Sequence, residues 1–196
     1  SPFFSAIGPS LPDADYLRDP TFVDIDGDGD LDAFAGMGYS YFHNNEGNTL
    51  FFRNTGTAQQ AVFSNTALVN PFGLTNVGDF ANSAFADIDN DKDLDAFVGD
   101  ATGNVQFYRN AGTATNPVFA APQTNPFGLS DAGNNAEPSF IDIDNDKDLD
   151  VFINNLFFRN TGTVSNPAFA APQVNAFGLN DAPNFIDADR DGDWDA

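Results

Sequence analysis

Five aspartates on alternate residues, Asp24, Asp26, Asp28, Asp30 and Asp32, are the part of this chain best suited to chemistry. Carboxylates this close repel by roughly 1 kcal/mol per pair at 4 Å even in water, so the cluster calls for a cation. With Asp24 as the first position, carboxylate oxygens stand at the first, third, fifth and ninth positions. A backbone carbonyl is available at the seventh, and Gly29 supplies the sharp turn at the sixth. That is the ligand pattern of a calcium loop. Magnesium suits it less well, because it demands near-octahedral geometry and gives up water reluctantly.

The pattern recurs in three further stretches: Asp87, Asp89, Asp91, Asp93 and Asp95; Asp142, Asp144, Asp146, Asp148 and Asp150; and Asp187, Asp189, Asp191, Asp193 and Asp195. A solvated acidic turn explains one such stretch, not four in register. The expected cofactor is therefore Ca2+, about one per loop and up to four per chain, in a structural role that staples neighbouring strands.

These loops account for much of the composition. They hold 20 of the 29 acidic residues, and four bound Ca2+ would bring the formal charge of −22 to about −14. An acidic surface with seven Lys plus Arg argues against nucleic acid or an anionic membrane as partner. No apolar run approaches the ~20 residues of a membrane span, so membrane insertion is not expected. Without cysteine there is no disulfide or thiolate chemistry. Catalysis also lacks its usual parts: the single histidine is His43, and the two glutamates, Glu46 and Glu137, fall in different repeats. The chain reads as a non-enzyme.

Three motifs repeat in order. Each calcium loop runs into an apolar stretch (Ala33-Phe34-Ala35, Ala96-Phe97-Val98, Val151-Phe152-Ile153). Then follows an aromatic-Arg-Asn-x-Gly-Thr motif around Arg53, Arg109 and Arg159, and then an Asn-x-Phe-Gly-Leu motif around Phe72, Phe127 and Phe177. The arginines are expected to brace their own repeat by pairing with loop carboxylates, or else to line a ligand groove. The phenylalanines are expected in the core, with Phe72, Phe127 and Phe177 also able to form contact patches.

Period-2 patterning and turn signals predict four short strands per repeat. The first ends at the calcium loop (residues 21–25, 84–88, 139–143) and the second leaves it (31–35, 94–98, 149–153). The third runs up to the arginine (50–53, 105–109, 156–159). The fourth covers 61–64, 117–120 and 167–170, and is an edge strand because Pro117 and Pro167 cannot donate to a ladder. Four strands per unit, repeated at this spacing, predict an all-β fold: a β-propeller of four-stranded antiparallel blades. The expected division is three complete blades, residues 20–74, 83–129 and 138–179. A split blade flanks them, its last strand in 1–15 and its first strand and calcium loop in 184–196. Beginning at Ser1, the chain reads as a processed product or a section of something longer.

The signature D-x-D-x-D-G-x-x-D in Asp24–Asp32, and its three counterparts, resembles that of the FG-GAP repeats and the related VCBS repeats, integrin-like calcium-binding propeller blades. The resemblance implies metal ligands at the first, third, fifth and ninth positions of every loop, with the seventh aspartate contributing its backbone carbonyl. Lys92 and Lys147 replace the glycine found at Gly29 and Gly192, which predicts a looser or differently turned second and third loop.

Function is expected to be that of an extracellular or cell-surface structural or adhesion module. Its partners would be neighbouring repeats, or second copies that complete the split blade in trans and link molecules into oligomers or filaments. The alternative is a carbohydrate-binding module, or the non-catalytic propeller of a polysaccharide-active protein. There Tyr39, Tyr41 and His43, on a polar aromatic hairpin tip, would meet a glycan.

Overall fold

The computed structural model describes residue 17 and residues 20–38 and 47–179. The predicted strand in 1–15, the tip residues Tyr39, Tyr41 and His43, and the fourth loop from Asp187 to Asp195 lie outside the described residues.

Twelve strands form three four-stranded antiparallel sheets, each in sequence order. The first is β1 (Thr21–Val23), β2 (Asp32–Gly36), β3 (Thr49–Phe52) and β4 (Leu68–Val69). The second is β5 (Asn82–Ala86), β6 (Asp95–Gly99), β7 (Val105–Tyr108) and β8 (Gln123–Thr124). The third is β9 (Pro138–Ile141), β10 (Asp150–Ile153), β11 (Leu156–Phe158) and β12 (Gln173–Val174). The all-β class and the four-stranded antiparallel unit are as the sequence predicts.

The second strand of each sheet is buried along its whole length. Strand alternation then sends residues to two opposite cores. Phe34 points with Phe51 into one cluster, while Ala33 and Ala35 face another. The next sheet presents Ala96 and Val98 to Phe34 and sends Phe97 onward to Val151 and Ile153 of the third sheet. Large residues of one sheet thus meet small ones of the next in shared buried clusters.

The aromatic geometry repeats to within tenths of an ångström. Phe34 and Phe51, Phe97 and Phe107, and Phe152 and Phe157 are cross-strand pairs with ring centroids 4.9 Å apart in every sheet. The following sheet adds Phe85 to Phe34 at 4.5 Å and Phe140 to Phe97 at 4.4 Å. Phe72, Phe127 and Phe177 set their rings edge-on to the third strand at 5.2, 5.0 and 5.2 Å. They do so from left-handed backbone, with φ of 60°, 60° and 56°, which costs a non-glycine residue about 1 kcal/mol. The turn directs the preceding unit's carbonyl to the next one: Phe119 N–H donates to Phe72 O, and Phe169 N–H to Phe127 O, both at 2.7 Å. Phe72 and Phe127 are therefore half-buried packing residues, whereas Phe177 is 67% exposed.

The fourth strand starts where the sequence places it, but as a broken ladder. The segments 61–64, 117–120 and 167–170 pair only through single bridges, Asn54 with Phe63, Asn110 with Phe119 and Asn160 with Phe169. The amides of Ala120 and Ala170 donate to the carbonyls of Arg109 and Arg159, and those of Ala111 and Thr161 to Val118 and Ala168, so these segments lie against the end of the third strand while the outward amides of Phe119 and Phe169 serve the preceding unit. The regular edge ladder of each sheet comes later, as a pair of exposed residues.

One close approach fixes the unit spacing. A Cβ on Gly99, at the end of β6, would lie 2.0 Å from the carbonyl oxygen of Ala136, and one on Gly36 would lie 1.5 Å from that of Ala81. Only glycine lets the incoming chain cross there. No helix among the described residues is long and apolar enough to cross a membrane.

Candidate metal centres

Each described loop joins the first and second strands of its sheet, and the three are built by the same hydrogen bonds. The first aspartate accepts from the backbone N–H groups of the fifth and sixth positions: Asp24 from Asp28 (3.1 Å) and Gly29 (3.0 Å), Asp87 from Asp91 (3.0 Å) and Lys92 (3.1 Å), Asp142 from Asp146 (3.1 Å) and Lys147 (3.0 Å). The fifth aspartate accepts from the seventh N–H. The expectation that lysine at the sixth position turns the loop differently is not met. Lys92 (φ 76°) and Lys147 (φ 79°) adopt the left-handed conformation of Gly29 (φ 89°) and keep the same bonds. A Cβ at Gly29 would meet nothing within 4 Å, so a side chain there has open space.

The ninth aspartate ties the loop to the rest of its sheet. One oxygen of Asp32, Asp95 and Asp150 accepts the backbone N–H of Asn54, Asn110 and Asn160 at 2.7 Å. Each of these buried asparagines then accepts two more N–H groups on its side-chain oxygen, as Asn110 does from Gly112 (2.9 Å) and Val118 (3.0 Å). The asparagine of the aromatic-Arg-Asn-x-Gly-Thr motif, to which the sequence assigns no role, thus joins the aspartate loop to the following hairpin. The signal was its recurrence immediately after every arginine. Asn110→Ala removes the acceptor shared by two part-buried N–H groups and is expected to lower stability by about 1–2 kcal/mol in denaturant melts.

The arginines pair as expected. Arg53 Nη2 lies 2.5 Å from Asp26 and 3.5 Å from Asp28; Arg109 Nη2 lies 2.6 Å from Asp89 and 3.2 Å from Asp91; Arg159 pairs with Asp144. Half-exposed ion pairs of this kind contribute little stability themselves. They do fix one oxygen, Oδ2, of the third-position carboxylate.

The first, third and fifth aspartates come together in each loop, with ligand oxygens within 4.8 Å of one another: Asp24, Asp26 and Asp28; Asp87, Asp89 and Asp91; Asp142, Asp144 and Asp146. An independent test of fit is the set of buried carboxylate oxygens without a hydrogen-bond partner: Asp26 Oδ1, Asp30 Oδ1 and Asp32 Oδ2 in the first loop, with Asp89, Asp93 and Asp95, and Asp148 and Asp150, in the others. Buried oxygens left unpaired are costly, and every one of these sits in a loop. Hard anionic oxygens in this number suit a metal ion and are consistent with calcium.

Burial drives the ninth carboxyls out of the ordinary range, Asp32 and Asp150 up to about 6 and Asp95 up to about 7, against the opposing hydrogen bond from asparagine. Neighbouring loop carboxylates add to the upward push. A raised folded-state pKa gives stability that is complete below about 3.8 and lost as pH rises through 6 to 7. In chelator, the melting temperature is therefore expected to climb as pH falls from 8 to 5. With calcium the trend reverses, because protons compete with the metal for the same oxygens. Thermal melts across pH in both conditions check this, and a parallel pH dependence in the two would contradict it.

Residues 87–153, from the first aspartate of the second loop to the last residue of β10, match the family model of the FG-GAP-like repeat. This stretch is an FG-GAP-like repeat, and it contains both the second and the third metal loops. No significantly similar curated protein was found.

Proposed function

We propose that the chain is a non-catalytic, calcium-stabilised β-propeller module of an extracellular or cell-surface protein. Its stacked repeats serve as a structural or adhesive scaffold. The observation that carries this reading is the threefold recurrence of one loop, whose buried carboxylate oxygens have no partner within the protein. The first loop also lies against the seam between units, since a Cβ on Gly27 would be 3.0 Å from Thr115 of the next unit. Metal held there stiffens the joint between repeats as well as the strand pair. Millimolar calcium, as found outside cells, fills even weak sites of this type.

Head-to-tail stacking either closes as a ring or continues as a fibre. Such stacking would continue onto neighbouring repeats or onto a second copy. Light scattering in millimolar calcium and then in chelator tests the second route: assemblies that dissociate on chelation support it, and a calcium-loaded monomer removes it.

A glycan-binding reading finds support in two equivalent grooves at the seams. One, of about 220 Å3, lies among Arg53, Phe72 and Asn116, and the other, of about 370 Å3, among Arg109, Phe127 and Asn166. Aromatic floors with a few polar groups suit sugars. A glycan array on which Phe127→Ala abolishes a specific signal would favour this reading, and an array without binding would dismiss it.

A further inference from the structure

The seventh aspartate of each loop is where the structure departs from the expected ligand pattern. With a backbone carbonyl as the ligand at that position, the side chain would be free to point into solvent. Instead Asp30 and Asp148 are 9% exposed. Oδ1 of Asp30, Asp93 and Asp148 is in every case buried and without a hydrogen-bond partner. The N–H of each of these residues donates to the fifth carboxylate, at 3.1, 3.2 and 3.1 Å, which holds the seventh residue against the metal-binding triad. The other orphaned oxygens belong to the third and ninth carboxylates. All the unsatisfied buried side-chain oxygens among the described residues thus belong to the aspartate loops, and the seventh side chain is among them in all three.

Resting on the reading of these loops as metal sites, we propose that Asp30, Asp93 and Asp148 bind the cation through their side-chain carboxylates. Each loop then offers five carboxylates, at alternate positions from first to ninth. A buried carboxylate oxygen without a partner is costly unless an ion satisfies it. Affinity in oxygen-ligand loops is set by ligand charge count, and a fifth carboxylate adds attraction that grows in proportion to the charge of the ion. These sites should accordingly prefer trivalent lanthanide ions to Ca2+ more strongly than loops with four carboxylates do.

The test replaces the three residues together by asparagine (D30N, D93N and D148N) in the full chain and titrates Ca2+ and La3+ by calorimetry. Asparagine keeps the shape and an oxygen but removes the charge. The expected result is about a 10-fold loss of Ca2+ affinity at the altered loops and a distinctly larger loss for La3+. In thermal melts, the variant is expected to be more stable than the parent in chelator, where repulsion is relieved, and less stable in calcium. A merely structural role would move both melts in the same direction. Parent-like affinities for both ions would overturn the proposal and restore the backbone carbonyl as the ligand. Absence of Ca2+ binding by the parent itself would instead overturn the metal reading on which the proposal rests.

Discussion

Stripped of calcium by excess chelator, the protein is expected to lose most of its stability and to unfold at or near room temperature. A ligand that binds only the native state adds about 2.7 kcal/mol when present at 100 times its dissociation constant. Four loops, one of them beyond the described residues, would together supply about 11 kcal/mol, comparable to the whole net stability of an ordinary domain, about 5–15 kcal/mol. Chelation also exposes the cost the metal had offset: five carboxylates per loop, several with buried oxygens that nothing else satisfies. The check is circular dichroism during a thermal melt, with and without chelator. A shift of only a few degrees would mean that the sheets hold themselves together and that the loops are surface ornaments.

Asp95→Ala is expected to be the most damaging single substitution in any loop, costing about 3–5 kcal/mol in calcium. Asp95 is 1% exposed and sits where two systems join. One of its oxygens accepts the Asn110 N–H at 2.7 Å, and the other is buried without a hydrogen-bond partner. Truncation leaves a buried N–H stranded, opens a small cavity at the start of β6 and removes a proposed metal ligand. Asp95→Asn separates these effects, because the amide oxygen can still accept from Asn110 while the charge is gone. The expected pattern is near-normal or raised stability in chelator, where burial already pushes this carboxyl up to about 7, and a clear loss in calcium. Denaturant melts of both variants in both conditions decide the matter. Equal losses for Asp95→Asn with and without metal would assign Asp95 to packing alone.

The parts of this molecule legible in the sequence are those governed by local rules. Alternate aspartates can only be a charge cluster, and their recurrence ahead of Ala33-Phe34-Ala35 and its counterparts marks a loop feeding a buried strand. The pairing of Arg53 and Arg109 with loop carboxylates was likewise readable, because each arginine recurs at the end of the strand beside the loop.

What escaped depends on contacts between units. The segment 117–120 reads as a complete strand, but it pairs with the third strand through a single bridge, and its outward Phe119 amide bonds to Phe72 of the preceding unit, a contact that no local pattern announces. The actual edge, Gln123–Thr124, is two exposed residues with no apolar pattern to announce it. Lys92 and Lys147 look wrong for a left-handed position. They are tolerated because the loop's hydrogen bonds to Asp87 and Asp142 hold the turn, and the space beyond the corresponding Gly29 is open. The side-chain burial of Asp30 and Asp148 has no sequence signal at all, since an aspartate at the seventh position reads the same whether it faces metal or water.

The central claim is that repeated aspartate loops hold calcium and that calcium holds the stack. Native mass spectrometry of the full chain in the presence of Ca2+ tests it most directly. The account predicts about one ion per loop, approaching four per chain, with a narrow, folded charge-state distribution that broadens when the ions are removed. A chain that stays folded and metal-free in millimolar calcium would contradict it.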